Sequence, residues 1–272
     1  MNNADASLMN TRMSARSSAS DRAQAGFTLV ELMVALAISL FLIGGLLTLV
    51  QAMKSTQGTQ SGLSQLQDSE RMAMTLLADV IQSAGYYPNP TTTTATTAFP
   101  IVAPFTYVGQ SVIGSGGYLD TPIPDQTVTV RNATSGSDGI INCTGNTSAV
   151  AATFVNAFSL VADPTVAGTY DLTCTLTGSP AVTLVTGLTN MQIYYGVQTN
   201  PGVSNNSVDT YLDGNTVTAD GYWPNVISVK IKLTFVNPLW GGNAGQTENL
   251  NMPQTISFER IINIMNKAGV ST

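Results

Sequence analysis

The residues able to do chemistry are few and scattered. The 272-residue chain has no histidine, which removes together the commonest general base and the commonest metal ligand. Two cysteines, Cys143 and Cys174, stand far apart and read as one disulfide; the rival reading, a redox or metal pair, lacks a CxxC spacing and any His partner. Asp209, Asp213 and Asp220, with Gly214 and Asn215 between them, place oxygen ligands in a turn-rich stretch. They read either as a weak cradle for Ca²⁺ or as plain turn chemistry, and their spacing is not that of an EF-hand. No nucleophile stands beside a base, and no cofactor-binding pattern occurs, so a non-enzymatic role without cofactor is expected. Glu31 is the remaining chemically distinctive residue, the one charge between Phe27 and Val50.

That 24-residue apolar run must position Glu31. As a helix it reaches about 36 Å, enough for a hydrocarbon core of about 30 Å. A carboxylate at the centre of such a span would cost about 2.5–3.5 kcal/mol, but Glu31 lies near its start. Thr28-x-x-Glu31 there fits a capping box, with the acid also suited to the positive helix end. An ordinary secretory signal carries its small-residue cleavage site after the apolar stretch. Here Ala25-Gly26 precedes it, so a cut would retain the apolar helix.

Gly26-Phe27-Thr28-Leu29-Val30-Glu31 resembles the signal of type IV prepilins: a Gly, then an aromatic, with Glu at the fifth position after the cut. The resemblance implies cleavage between Gly26 and Phe27 by a prepilin peptidase and N-methylation of Phe27. It further implies that Glu31 pairs with the amino terminus of a neighbouring subunit, alongside or in place of the capping role. Residues 1–26 would be a leader, with Arg12, Arg16 and Arg22 against Asp5 and Asp21 favouring its retention in the cytoplasm.

After Val50 the pattern turns amphipathic. Leu63, Leu66, Glu70, Ala73, Leu77, Val80 or Ile81, and Ala84 recur at three- and four-residue spacing, which predicts one long helix from about Phe27 to Ala84. Gly44-Gly45 and Gly58/Gly62 weaken it locally. The first pair reads as close helix packing or as a site that loosens on assembly. Gly85 to Pro90 ends the helix, and Thr91–Thr97 reads as a loop. Val226–Phe235 and Met191–Val197 alternate as half-buried strands, with further strands expected at Thr127–Arg131, Thr153–Val161, Tyr170–Leu176, Ala181–Thr186 and Thr255–Ile264. The expected fold is α+β: residues 27–87 form a long helix, its 27–50 part in a membrane or filament core, packed on an antiparallel sheet of residues 88–272.

The segments Leu76–Tyr87, Ser137-Asp138-Gly139, Cys143-Thr144-Gly145, Leu172-Thr173-Cys174, Leu188–Val197 and Trp223–Ile231 look like the PilW pattern of minor pilins. Gln82 and Lys230 depart from it, standing where a basic residue and Arg are usual. The resemblance implies a minor pilin that primes a type IV pilus or sits at its tip. Its partners would be the peptidase, other minor pilins, the major pilin and the assembly machinery. It would be anchored in the inner membrane with its domain in the periplasm, then carried into the filament at the cell surface. A minor pseudopilin of type II secretion and a pilus-displayed adhesin are the alternatives. The net charge of −6, and the lack of a Lys/Arg run with interleaved aromatics, argue against direct nucleic acid binding.

Overall fold

The computed structural model describes residues 26–117, 126–200, 207–240 and 252–268, so all of the expected 1–26 leader except Gly26 lies outside the described residues. The chain divides into two units, Met1–Ser55 and Thr56–Thr272. Helix α1, Leu29–Gln82, runs through both as 54 continuous residues. In the first unit its side chains are exposed throughout. In the second it buries Leu66, Ala73, Met74, Leu77, Ala78, Val80 and Ile81, the face expected from the spacing, with Glu70 half-buried on it. Gly62 is needed there because a Cβ would meet Pro238 at 2.9 Å.

Gly85 terminates α1, at φ 77, its N–H donating to the Arg131 carbonyl at 2.8 Å. A Cβ at this position would also press on Asn266 and Ser111. The chain then makes the short helix α2, Ala95–Ala98, capped by Thr94, whose hydroxyl accepts from Thr97 N–H at 3.3 Å. The expected Thr91–Thr97 loop is therefore corrected: a threonine cap starts one helical turn where no apolar period exists to signal it.

Among the described residues the sheet has eight strands: β1 Val112–Ser115, β2 Thr127–Thr134, β3 Ala152–Ala162, β4 Tyr170–Leu176, β5 Val182–Val197, β6 Thr210–Leu212, β7 Val226–Val236 and β8 Thr255–Asn263. All pairings are antiparallel, in the order β1-β2-β3-β4-β5-β7-β8, with β6 on β5. This is the expected α+β architecture, with the second half of α1 in the same core as the sheet. The strands expected at 181–186 and 191–197 are one, β5, whose register shift between Leu188 and Asn190 breaks the alternation that would have joined them.

The core is set by register. Leu188, Met191, Ile193 and Tyr195 of β5 stand opposite Phe235, Leu233, Ile231 and Val229 of β7, all buried, and β8 continues the rows with Ile256, Phe258 and Ile262. Burying each large apolar side chain contributes about 1.5–3 kcal/mol. The exposed-face ion pair Lys230–Glu259, at 3.7 Å, is worth about 0–1 kcal/mol by comparison, so the apolar ladder holds the sheet.

Candidate functional site

Thr28 precedes the first residue of α1, and its hydroxyl accepts from Glu31 N–H at 3.3 Å while its carbonyl accepts from Leu32 N–H at 3.2 Å. The hydroxyl half of the capping box is thus formed. This bond uses the backbone of Glu31 and leaves its carboxylate on an exposed residue. Phe27 is 82% exposed, and Leu29, Val30, Met33, Leu40 and Phe41 are each more than 60% exposed. The polar residues of this stretch bond within the helix, Ser39 Oγ to Ala35 O and Thr48 Oγ1 to Gly45 O, both at 2.7 Å. An apolar helix with internally satisfied hydroxyls and satisfied backbone is what a hydrocarbon environment demands. The helix is long and apolar enough to cross a membrane. It passes through Gly44-Gly45 without interruption, and a Cβ at either glycine would meet nothing within 4 Å in this chain.

Cys143 and Cys174 form a disulfide, with Cα atoms 6.1 Å apart. Cys174 lies in β4, and the amide of Cys143 donates to Asn156 Oδ1 of β3 at 2.8 Å. Asn156 Nδ2 donates to Asn132 Oδ1 at 3.4 Å, Asn132 Nδ2 to Ser83 Oγ at 3.1 Å, and Ser83 Oγ to Val80 O at 2.9 Å. The bridge is therefore wired through two buried asparagines to the end of α1.

The three aspartates are used in local structure. Both oxygens of Asp213 serve Thr216 as the N-cap of α3, Gly214–Ala219, at 3.0 and 2.7 Å. Asp209 Oδ2 accepts from Thr199 and Asn200. Asp220 is the C-cap of the same short helix. Among the described residues no group of three His, Cys, Asp or Glu side chains converges for a metal.

Sequence reasoning missed Arg131. Its place in the β2 alternation reads as outward, yet it is 3% exposed under the loop from Phe99 to Gln110. Nε donates to Gln110 O at 2.5 Å, Nη1 to Pro100 O at 2.7 Å and Nη2 to Phe99 O at 3.2 Å, with the Phe105 ring 4.2 Å away. Burial lowers its pKa to about 10, which leaves it charged at neutral pH. A lone polar position gives no hint of such a loop.

Residues 21–47 match the family described as Prokaryotic N-terminal methylation motif, and residues 161–257, from the end of β3 into β8, match Type IV Pilus-assembly protein W. No curated protein matches the chain. The first match spans Gly26, Phe27 and Glu31 and implies prepilin-peptidase processing, membrane anchoring and engagement with the pilus-assembly machinery. The second covers β4 to β7, including the paired β5 and β7 at the centre of the apolar ladder. Together the two matches support a minor type IV pilin of the PilW type, a subunit involved in pilus assembly.

Proposed function

We propose that this chain is a structural subunit, without catalytic activity, that primes a type IV pilus or occupies its tip together with other minor pilins and the major pilin. Residues 1–26 are the leader, 27–87 the segment that carries the long helix, with 27–50 spanning the inner membrane, and 88–272 the periplasmic pilin domain. Cleavage after Gly26 frees the amino group of Phe27, which is N-methylated. During assembly the apolar face of α1 exchanges lipid for neighbouring helices, and Glu31 meets the amino terminus of an adjacent subunit. In that apolar core the charge pair is far stronger than in water, offset in part by desolvating both ions.

The observation that supports this reading is the state of Glu31. Its amide is capped by Thr28 while its carboxylate stands on an exposed residue at the head of an exposed apolar helix. Glu31→Gln separates capping from pairing, since the Thr28 cap uses only the backbone. The variant is expected to be cleaved and membrane-inserted yet depleted from filaments. The measurement is the ratio of sheared-fibre to membrane-retained protein, and an unchanged ratio would confine Glu31 to helix structure.

A further inference from the structure

A cavity of about 630 Å³ opens at the C-terminal end of α1, within the size range of ligand pockets. Tyr86, Ile140, Ile141 and Met265 give it apolar walls, and Asp79, Gln82 and Asn266 its polar edge. The potential there is negative for three separate reasons. The helix ends here, and its last turn carries no basic residue to balance the macrodipole. The carbonyls at this end are met by neutral donors: Ser83 Oγ on Val80 O at 2.9 Å, Ala84 N–H on Ile81 O at 3.1 Å, and Asn266 Nδ2 on Gly85 O at 2.7 Å. Their hydrogen bonds are made, but none of these donors carries a positive charge.

Asp79 adds a carboxylate in that last turn, on an exposed residue. Asp138, next in sequence to the wall residue Gly139, adds another: burial first, and then this nearby carboxylate, raise the pKa of Tyr86. Burial works to raise the pKa of Asp138, but hydrogen bonds from Thr134, Ser135 and Ile140 outweigh it and hold it at about 2, so this carboxylate stays ionised. None of the described residues lining the cavity is Lys or Arg.

An apolar channel with an uncompensated negative end fits one kind of side chain, a long aliphatic stem carrying a cation. We propose that this cavity receives a lysine or arginine side chain from a partner polypeptide. The stem lies along Tyr86, Ile140, Ile141 and Met265, and the head group sits at Asp79 and the end of α1. A purely apolar guest would leave the negative pole unanswered, and an acidic one would be repelled. The inference rests on the pilin reading only for what supplies the side chain, since binding itself needs no filament.

The test uses the full chain in detergent micelles at low salt, with methionine methyls labelled with ¹³C and the Met265 signal assigned by Met265→Leu. The probes are N-acetyl-lysine-N-methylamide and its neutral counterpart N-acetyl-norleucine-N-methylamide. The Met265 methyl is expected to respond to the lysine probe at a concentration at least about fivefold lower than to the norleucine probe. Asp79→Asn should bring the two to parity, while Asp79→Glu should keep the preference and so control for folding. Equal response to both probes, or no response at Met265, would overturn the proposal. Failure of this binding leaves the Glu31→Gln result untouched, so the two readings fail separately.

Discussion

At the scale of the residue, this protein handles buried charge in two opposite ways. Arg131 is completely enclosed, yet three backbone carbonyls and two aromatic rings answer its guanidinium. Asp171, opposite Val161 in the β3–β4 ladder, has a buried Oδ1 with no hydrogen-bond partner. Burial raises its pKa above the ordinary carboxylate value, and the nearby Asp163 carboxylate raises it further. The folded chain therefore holds this proton more tightly than the unfolded chain, and folding loses stability as pH climbs from the ordinary value through the raised one. Above both values the penalty is complete. Asp171→Asn removes it and is expected to stabilise the protein at pH 7 by about 1 kcal/mol, with the gain fading as pH falls below the carboxylate range. Denaturant midpoints of variant and parent across that pH range check this, and a gap independent of pH would refute the assignment. Neither arrangement is legible in the sequence. Arg131 and Asp171 both occupy polar positions of alternating strands, and what covers a strand's outer face is decided by loops that leave no periodic trace.

At the scale of the element, legibility follows periodicity. The α1 seam and β7 were readable because apolar residues recur at 3.6 and 2.0 spacing over many turns and pairs. β1 was not, because it is four residues long and includes Gly114, where a Cβ would overlap Tyr195 Oη and the Thr127 carbonyl. That glycine lets Tyr195 cross beneath β1 and donate to Thr127 O at 3.1 Å, a contact between residues 68 apart that no local rule contains. β6 and α3 hid in the Asp209–Asp220 stretch because the Asp213 cap and a threonine-rich helix look like turn composition. The methylation-motif segment was legible for the opposite reason, since its Gly, Phe and Glu lie within six residues.

The Cys143–Cys174 bridge joins elements that the sheet alone would leave less firmly tied, closing a separation of 31 residues and leading through Asn156 and Asn132 to Ser83 at the end of α1. Reduction should cost about 2–5 kcal/mol. The loss is read as a lowered denaturant midpoint followed by Trp223 fluorescence, since Trp223 is buried against Tyr195 in the core. Free-thiol labelling of the unfolded, unreduced protein should find none, and two labelled thiols would contradict the bridge.

At the scale of the whole molecule, the proposed assembly asks one chain to satisfy two environments in succession. The residues from Phe27 to Val50 expose an apolar surface that water does not tolerate, and the domain from Thr56 onward has a complete core of its own. Lipid or neighbouring helices must therefore cover the first stretch, and the covering can change only if nothing polar is attached to its leading end. Uncut, that end carries Arg12, Arg16, Arg22, Asp5 and Asp21, and it keeps the Phe27 nitrogen in an amide with no charge to offer a neighbour. Burying those charges in an apolar filament core would cost several kcal/mol each. Gly26 has no side chain, and a bulky residue there is expected to block the peptidase. Gly26→Val should accumulate as a full-length precursor in the membrane fraction and be absent from sheared fibres, with its domain still folded and disulfide-bonded. The parent protein should begin at Phe27 in both fractions. N-terminal sequencing decides the matter: a mature chain beginning elsewhere would overturn the cleavage assignment, and uncut Gly26→Val in fibres would show that release of the leader is not what permits the helix to change environment.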